Sequence, residues 1–485
     1  MSAPSIKKNF FYSSFITTAN YLFTFITYPY VSRVLGVDKI GAVNFVDSVI
    51  NYFIMLSMLG IAIVGIREVA RSKTDRNELN STFSSLFYIN IFFTAIALLI
   101  LGGVYLFLPE LQQHGELVGI GVAKLVANIF LMDWFFKGIE NFKIITIRTF
   151  IVRMLYVAAI FIFVHSQEDY VAYFLLTALS VVANAVVNCL YMRRFVSLSM
   201  KNIQIMKFLS PVVILGLYMF FGNFYSTFNT MFLGVEKGDT EVGYFSTATK
   251  LFTIILSLYG AFTTVMMPRM SSLLKEGKLA EYTTLFRKSV SIVFAFCLPL
   301  VMLTVMQSGN IILLISGEGY DGAVVPMMLC MPLLVIVGYN QILMNQGLMS
   351  IGKDKAILLS SVFGGLVALA LCYLLIPHYG SKGAAVVWLC SELVVNAVAG
   401  YFVYRYISIP PPVVQLLKAV LLHLPLLVLL YLTRELTSSY ILNLCIASAL
   451  TFVYCFVLQC FIVKDETVRR LFGMKKLVKQ DKSDS

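Results

Sequence analysis

Charged side chains are scarce in this sequence. Lysine, arginine, aspartate and glutamate together supply 13% of the 485 residues, whereas apolar side chains supply 59%. A soluble globular domain carries about 25% charged residues, so the composition excludes an ordinary water-soluble protein. Long polar stretches are also lacking, because apolar runs follow one another almost end to end. We therefore expect an integral membrane protein without a sizeable domain outside the bilayer.

Sequence signatures of enzymes and metal sites are missing as well. There is no GxxxxGK[ST] phosphate loop and no HExxH zinc pair, the short motifs that carry those two chemistries. All eight cysteines fall within apolar runs and show no metal-ligand spacing, so neither a disulfide framework nor a zinc site is predicted. The polar loops are too short to hold a catalytic domain. We expect no enzyme, no cofactor and no metal.

The apolar runs predict an all-α membrane protein of about fourteen transmembrane helices. A bilayer core about 30 Å thick needs about 20 residues of helix, and each run approaches or exceeds that length. The predicted spans are 9–31, 41–65, 82–108, 117–136, 147–165, 170–192, 208–234, 242–267, 284–307, 323–350, 356–376, 383–405, 413–432 and 440–463.

Positive charge is distributed unevenly between alternate loops of this arrangement. Of the 37 lysines and arginines, 29 lie on the side of the N-terminus and only five on the opposite side. Basic residues near short loops stay in the cytoplasm, so both termini should be cytoplasmic and the helix count even. Topology and anionic lipid thus account for the +12 net charge without a nucleic-acid partner.

The two halves of the chain share local sequence about 200 residues apart. LGVDK at 35–39 matches LGVEK at 233–237, and two later loop motifs recur in the same order. An offset of six helices is even, so the halves should be parallel repeats about an axis along the membrane normal. The predicted units are an N-lobe of helices 1–6 (1–195), a C-lobe of helices 7–12 (196–408), helices 13–14 (409–463) and a basic cytoplasmic tail (464–485).

The first predicted helix is unusually polar. Its polar residues recur at spacings of four, three, four and three, which places them along one face. They are Ser13, Thr17, Asn20, Thr24 and Thr27. Two interpretations remain open at this point: a seam between helices joined by hydrogen bonds, or the wall of an aqueous cavity.

Six ionisable side chains besides histidine are singled out within predicted spans. They are Asp47, Lys124, Asp133, Arg153, Lys250 and Glu392. Each costs roughly 2.5–3.5 kcal/mol at the bilayer centre, so each needs a local reason. Asp133 is interpreted as a solvated helix terminus. Lys124 and Arg153 either extend to the membrane surface or face a cavity.

The deeper charges favour a cavity. Lys250 and Glu392 lie too far inside for their side chains to reach the surface easily. Asp47 and His423 are equally consistent with packing or with a proton or ion role, and we keep Asp47 and Glu392 as candidates for ion coupling. An excess of cations around a cavity would favour an anionic substrate.

Several ordered runs resemble the Wzx-type polysaccharide flippases of bacteria. They include PYVSRVLG at 29–36, GIREVA at 65–70, WFFKGIE at 134–140 and PRMS at 268–271. The likeness extends from about residue 9 to 405. It implies the multidrug/oligosaccharidyl-lipid/polysaccharide exporter fold, with two six-helix lobes and two added helices, in the bacterial inner membrane.

The resemblance also implies a substrate and a site. The substrate would be an O-antigen or capsule repeat unit on undecaprenyl pyrophosphate, in lipopolysaccharide or capsule synthesis beside glycosyltransferases and a polymerase. Cavities of this family are typically cationic, which agrees with Lys124, Arg153 and Lys250 and adds Arg33 and Arg67 at helix ends. Asn20 and Thr24 complete the predicted substrate-binding set. Asn229 departs from the family, which often has an acid there.

Three alternatives to a flippase make different demands on the sequence. A cation-coupled multidrug exporter of the same fold would need a carboxylate in the first helix, and the first helix has none. A membrane glycosyltransferase or polymerase would need a larger outer loop or an acidic catalytic motif. A passive channel would not need two pseudo-symmetric lobes. The multidrug exporter is therefore the main alternative.

Overall fold

The computed structural model describes residues 6–199, 203–433 and 436–463, and all regular structure within them is helical. The basic tail predicted at 464–485 lies outside these residues. The α-helices are α1 Ile6–Met58, α2 Ile61–Ser72, α3 Arg76–Phe107, α4 Pro109–Gln112, α5 Gly115–Asn128, α6 Asp133–Gly138, α7 Phe142–Phe163, α8 Tyr170–Met192, α9 Ile205–Lys237, α10 Asp239–Lys275, α11 Leu279–Met306, α12 Ser308–Ser316, α13 Val324–Cys330, α14 Leu333–Gln341, α15 Asp354–Ile407, α16 Val413–Thr433 and α17 Tyr440–Val457.

Ten helical segments of the described residues are long and apolar enough to cross a membrane. They are Phe15–Ser72, Arg76–Phe107, Gly115–Gly138, Phe142–Phe163, Gln167–Met192, Leu279–Met306, Asp321–Ile351, Asp354–Ile407, Val413–Thr433 and Tyr440–Phe461. The expected all-helical, multi-pass architecture is confirmed at this level. The count of fourteen crossings and the division into lobes stay predictions.

Glycine kinks replace two of the loops that hydropathy predicts. α1 runs through the expected loop at 32–40 with a single non-helical residue, Gly36, at φ 75° and ψ 172°. α15 likewise passes the expected loop at 377–382 and breaks only at Gly380, at φ 54°. Glycine reaches these positive φ values without a Cβ clash. Hydropathy reports apolar content and not backbone conformation, so the sharpness of both kinks was not foreseen.

The structure also refines the internal duplication. Gly238, between α9 and α10, has φ 79° and ψ −173°, nearly the conformation of Gly36. Gly238 is therefore the structural counterpart of Gly36, whereas the sequence match had aligned Gly36 with Gly234. The two kinks are 202 positions apart.

Two further glycines pack reciprocally beside these kinks, and they are also 202 positions apart. A Cβ on Gly41 would lie 1.8 Å from the carbonyl oxygen of Asp239, and a Cβ on Gly243 would lie 2.3 Å from that of Val37. Val37 and Asp239 are themselves 202 positions apart, so the repeat relates the two contacts to each other. The starts of the two helical segments cross with their backbones touching, related by a local pseudo-two-fold axis.

Polar contacts surround this crossing, which we call the sealed end and define by Asp38, Thr240, Glu241, Tyr320 and their partners. The Thr240 hydroxyl donates to Asp38 at 2.5 Å, and the backbone N–H of Ser381 donates to Glu241 at 2.6 Å. The Tyr320 hydroxyl donates to the Ser32 carbonyl at 2.9 Å. Segments from both halves of the chain are therefore joined at the sealed end.

At the opposite end, α9 begins among helices of the first half. Phe208 and Val212 belong to a buried cluster with residues of α2, α3 and α6. The N–H of Gly60, in the junction between α1 and α2, donates to the Val212 carbonyl at 3.1 Å. The first turns of α9 thus pack against the first half, although the sequence assigns them to the second lobe.

We expect Gly41→Val to open the sealed end. Overpacking typically costs about 1–3 kcal/mol, and here the added side chain meets backbone, so the closed contact should be populated about tenfold less. In a cysteine-free background, Asp38→Cys with Thr240→Cys should be joined by a short bifunctional thiol reagent, and Gly41→Val should lower the yield. Gly119→Val is the matched control, because no atom lies within 4 Å of a Cβ there. Equal yields in both variants would contradict the tight crossing.

Candidate functional site

A polar pocket of about 400 Å³ lies between α1, α7 and α8. Its lining residues are Asn20, Tyr21, Thr24, Thr149, Val152, Arg153, Ser180 and Asn184. The pocket brings together Asn20, Thr24 and Arg153, three residues that the sequence assigned separately to a substrate site. The side chain of Ser13, on the same predicted face of α1, lies outside the described side chains. Whether the grouped residues bind a ligand stays a prediction.

The pocket offers both hydrogen-bond donors and acceptors. The Thr24 hydroxyl donates to the Asn20 carbonyl at 3.0 Å, and the Ser180 hydroxyl donates to the Thr177 carbonyl at 2.7 Å. Both hydroxyl oxygens keep lone pairs for a ligand. Thr149 accepts from Arg148 at 3.2 Å, and a hydroxyl that accepts can also donate its own hydrogen. Such mixed polarity suits the hydroxyl groups of a sugar.

Arg153 supplies the positive charge of the pocket. Its guanidinium lies 5.0 Å from the ring centroid of Tyr156, a distance at which a cation and an aromatic face attract. Among the described residues, no carboxylate forms an ion pair with Arg153. A planar guanidinium that is not neutralised by an acid can bind two oxygens of an anionic ligand.

Lys124, by contrast, is neutralised by Asp47. Its ammonium forms an ion pair with Asp47 Oδ1 and donates to Asn51 Oδ1 at 3.3 Å. Asn51 in turn donates to Asp47 Oδ2 at 2.9 Å. Sequence reasoning found the two charges and missed Asn51. The signal was present, since Asn44, Asp47 and Asn51 are spaced three and four apart on α1.

Lys250 lies where α10 meets α1. Its ammonium is 5.2 Å from the ring centroid of Tyr28, and the Tyr28 hydroxyl shares a 2.7 Å hydrogen bond with Thr247. Asp47 is close enough to interact electrostatically with Lys250. Lys250 is half-buried and connects a helix of the second half to the charged residues of the first.

The two arginines implied by the family resemblance lie outside the pocket. Arg33 donates to the Leu314 carbonyl near the sealed end. Arg67, on α2, pairs with Glu68 at 2.8 Å and has a side chain 46% exposed. The structure therefore does not bring these two residues together with Arg153. Their role in substrate binding stays a prediction.

Buried polar residues of the second half form separate contacts. Glu392 is buried and accepts a hydrogen bond from the Asn340 amide at 3.0 Å. Asn340 lies two residues before a π-helix at Ile342–Leu348. Asn229 is fully buried and donates to the Ala384 carbonyl at 2.7 Å. The amide at position 229 thus bridges α9 and α15. An ion-coupling role for Glu392 stays a prediction.

Asp133 has a partner that the sequence did not suggest. It accepts from Arg148 at 3.0 Å, and the Arg148 side chain is only 4% exposed against 39% for Asp133. Arg148 also donates to Asn188. Arg148 lies at the start of the predicted span 147–165 and is not among the charges that the sequence marked as needing a local reason. Asp133 is a partly solvated helix terminus, as expected, and it is also the counter-ion of a buried arginine.

Comparisons with known proteins agree on one family and one fold. The sequence profile of the polysaccharide biosynthesis protein family matches residues 6–274. A protein of Escherichia coli (strain K12) named as a candidate O-antigen transporter is 26% identical over 413 residues, covering 82% of this chain and 97% of that protein. The capsular polysaccharide biosynthesis protein CapF of Staphylococcus aureus is 24% identical over 417 residues, covering 82% and 99%.

Two solved structures have folds similar to that of this chain. The lipid II flippase MurJ in an inward closed conformation matches with a TM-score of 0.72 at 13% identity, covering 94% of this chain and 99% of that one. An inward-facing multidrug resistance transporter of the MATE family matches with a TM-score of 0.63 at 15% identity, covering 84% and 96%. The described chain therefore has the fold shared by these two transporters.

We expect Asp133→Ala to destabilise the protein more than Arg148→Met. The alanine leaves a buried guanidinium without its carboxylate, which costs about 2 kcal/mol after allowance for the partial exposure of Asp133. The methionine removes the buried charge and leaves a carboxylate that water can solvate, so the cost should be below about 1 kcal/mol. Thermal unfolding of the detergent-solubilised variants would check the order. A lower melting temperature for Arg148→Met would show that the pair is not governed by burial of the arginine.

Proposed function

The chain belongs to the polysaccharide biosynthesis protein family, and on that premise we propose that it is a flippase for lipid-linked oligosaccharides. The substrate would be an oligosaccharide repeat unit on undecaprenyl pyrophosphate, moved from the cytoplasmic to the outer leaflet of the bacterial inner membrane. Relatives named for O-antigen transport and for capsular polysaccharide biosynthesis support this substrate class. The protein would act between the glycosyltransferases that build the unit and the polymerase that extends it.

One observation carries the proposal: Arg153 lies in a pocket of hydroxyl and amide groups and has no ion-pair partner among the residues that the structure describes. A pyrophosphate or an acidic sugar supplies the anionic oxygens that a guanidinium binds. Neutral sugars supply hydroxyl groups that both donate and accept, which matches Asn20, Thr24 and Ser180. Membrane lipids would receive the long undecaprenyl chain beside the protein.

We propose fourteen crossings, with lobes at 1–195 and 196–408 and two further helices at 409–463. The length of α1 supports this count. Its 53 residues extend about 80 Å at 1.5 Å per residue, more than twice the thickness of a bilayer core of about 30 Å. The kink at Gly36 divides it into two segments that are each long enough to cross.

Alternating access of the two lobes would move the substrate. The sealed end joins both halves through the reciprocal glycine contacts, hydrogen bonds and apolar packing of α1 against α10, and it would separate when the lobes rock. With both termini in the cytoplasm, the sealed end would face outward and the polar pocket would lie on the cytoplasmic side of it. Binding would then precede opening of the sealed end.

The alternative function is a cation-coupled multidrug exporter of the same fold. The match to a multidrug resistance transporter supports it, with a lower TM-score than the match to the lipid II flippase. A pocket whose charge is an unneutralised arginine would repel cationic drugs. We therefore favour the flippase.

Polysaccharide export should depend on the charge of the side chain at position 250. Lys250→Arg should retain more export than Lys250→Gln, and Lys250→Gln more than Lys250→Glu, because reversal adds repulsion of the substrate anion to the lost attraction. Polysaccharide reaching the surface of a strain that lacks its own flippase measures export, with abundance in the membrane measured separately. Thr253→Val, one turn along α10, is the control for changes to that helix. Export at the wild-type rate by an abundant Lys250→Glu would sink the cationic role of this residue.

Cysteine labelling can test the proposed orientation. In a cysteine-free background, single cysteines at Ser485 and in the 275–278 loop should react only after the membrane is made permeable, since both would be cytoplasmic. A cysteine at Glu318 should react in intact spheroplasts. Labelling of Ser485→Cys in intact spheroplasts would contradict a cytoplasmic C-terminus.

A further inference from the structure

A second polar pocket of about 400 Å³ lies where α11 and α12 meet α17, and it shares no lining residue with the pocket of Arg153. Its volume is within the range of small-molecule sites, about 300–1,000 Å³. We call it the outer pocket, because the proposed topology places the ends of α11 and α16 at the outer surface. Its seven lining residues, none of them charged, are Met306, Gly309, Asn310, Thr437, Ser438, Tyr440 and Asn443.

Buried amides fix the position of the outer pocket. Gln307, the residue after α11, is 1% exposed, and its amide nitrogen donates to Asn443 Oδ1 at 2.9 Å. Asn443 is also buried and donates to the Thr433 carbonyl at 2.7 Å. Because a carbonyl oxygen only accepts, it sets the orientation of the Asn443 amide, which in turn sets that of Gln307. The end of α11 is thereby joined to the end of α16 and the start of α17.

Asn310 continues this chain of hydrogen bonds to the edge of the outer pocket. Its amide nitrogen donates to Gln307 Oε1 at 2.7 Å. Among the residues that the structure describes, Asn310 Oδ1 has no hydrogen-bond partner, and neither do the hydroxyl groups of Ser438 and Tyr440. A hydroxyl both donates and accepts, whereas an amide oxygen accepts. The contacts that join the helices therefore leave these three groups available to a ligand.

One side of the outer pocket is apolar. Met306 packs against a buried cluster formed by residues of α11, α16 and α17, and Tyr440 adds an aromatic ring. Tyrosine presents an apolar body and a polar tip. A sugar ring has a comparable surface, because its hydroxyl groups project outward and its C–H groups form apolar faces. The outer pocket thus combines the two kinds of contact that a sugar ring makes.

We propose that the outer pocket binds an uncharged sugar unit of the oligosaccharide once the head group has reached the outer leaflet. This proposal deepens the flippase function, and it rests on that function and on the proposed topology. The pyrophosphate meets no cation among the seven lining residues, whereas the pocket between α1, α7 and α8 contains Arg153. The two pockets therefore hold different parts of the same substrate.

A lipid head group with neighbouring hydroxyls, such as the glycerol of phosphatidylglycerol, offers the same hydrogen bonds. Its phosphate is joined directly to the glycerol, so the anion would enter the outer pocket together with the hydroxyls. Burying a charge without a partner is costly. In an oligosaccharide, a sugar further along the chain can occupy the pocket while the pyrophosphate stays in water. We therefore assign the outer pocket to the oligosaccharide.

Protection of a cysteine can test the proposal on the full chain in lipid nanodiscs. Gly309→Cys in a cysteine-free background is the probe, because a Cβ at Gly309 meets no atom within 4 Å. The methyl glycosides of glucose, galactose, rhamnose and N-acetylglucosamine are added separately, and the rate of maleimide labelling is measured. At least one of them should slow labelling in a saturable way, about threefold at twice its Kd. Inorganic pyrophosphate should leave the rate unchanged.

Matched variants show whether the protection arises in the outer pocket. Tyr440→Phe keeps the ring and removes one hydroxyl, so it should raise the Kd of the protecting sugar about fivefold, the effect of one typical hydrogen bond. Tyr431→Phe, at a tyrosine outside the lining, should leave that Kd unchanged. Gly119→Cys is the control for the probe, because its Cβ also meets no atom within 4 Å. Protection of Gly119→Cys by the same sugar would show that the effect is not local and would overturn the assignment.

Phosphatidylglycerol separates the two sources of hydroxyl groups. Without sugar, Gly309→Cys should be labelled at the same rate in phosphatidylcholine nanodiscs with and without this lipid. Slower labelling in its presence would identify a lipid site and overturn the sugar assignment. Failure of all four glycosides to protect the cysteine would overturn it as well.

Failure of this proposal can be distinguished from failure of the flippase function. Surface polysaccharide in the strain lacking its own flippase reports on transport by the wild-type chain. Transport without protection of Gly309→Cys by any glycoside would leave the flippase standing and remove only the role of the outer pocket. Protection without transport would contradict the flippase function, and with it the assignment of the bound sugar to a transported oligosaccharide.

Discussion

The cost of a charge in the membrane core governs the arrangement of the polar residues in this protein. An ammonium or guanidinium facing lipid is disfavoured by several kcal/mol, so each deep cation needs a partner or water. Lys124 has Asp47, and the almost fully buried Arg148 has Asp133. Lys250 lies against the face of Tyr28. Arg153, like Lys250, has a tyrosine face and no ion pair among the described residues, but of these four cations it is the one that lines the polar pocket.

Close backbone packing imposes the second constraint, at the sealed end. Gly41 and Gly243 leave no room for a Cβ against the facing carbonyl groups, and the kinks at Gly36 and Gly238 set the direction of the helices that cross there. The Asp38 and Thr240 pair lies on the same pseudo-two-fold axis, since its members are also 202 positions apart. Apolar residues of both helices, among them Phe45 and Phe245, belong to one buried cluster, so apolar packing joins the two halves together with the glycine contacts and the hydrogen bonds.

The sequence predicts features that depend on the composition of one segment. It misses features that depend on contacts between two segments. Apolar runs predicted the helices, because each span must bury its own backbone polar groups. The cost of charge identified Asp47, Lys124, Arg153 and Lys250 as residues that need explanation. Their partners could not be predicted, because Lys124 meets Asp47 from a helix 77 positions away. The repeat was visible from LGVDK and LGVEK, yet Gly238 emerged as the counterpart of Gly36 only from backbone angles.

Charge and packing combine at the junction of α1 and α10. The stripe of Asn44, Asp47 and Asn51 begins just beyond the glycine crossing, so the segment that forms the sealed end also carries the carboxylate among the cations. Lys250 stands on the opposing helix, about two turns beyond its own crossing glycine, Gly243. Any rotation that separates Gly41 from Asp239 must also change the distance between Asp47 and Lys250, because each helix is rigid over two turns. Asp47 and Lys250 therefore lie on the same two helices whose first turns form the sealed end.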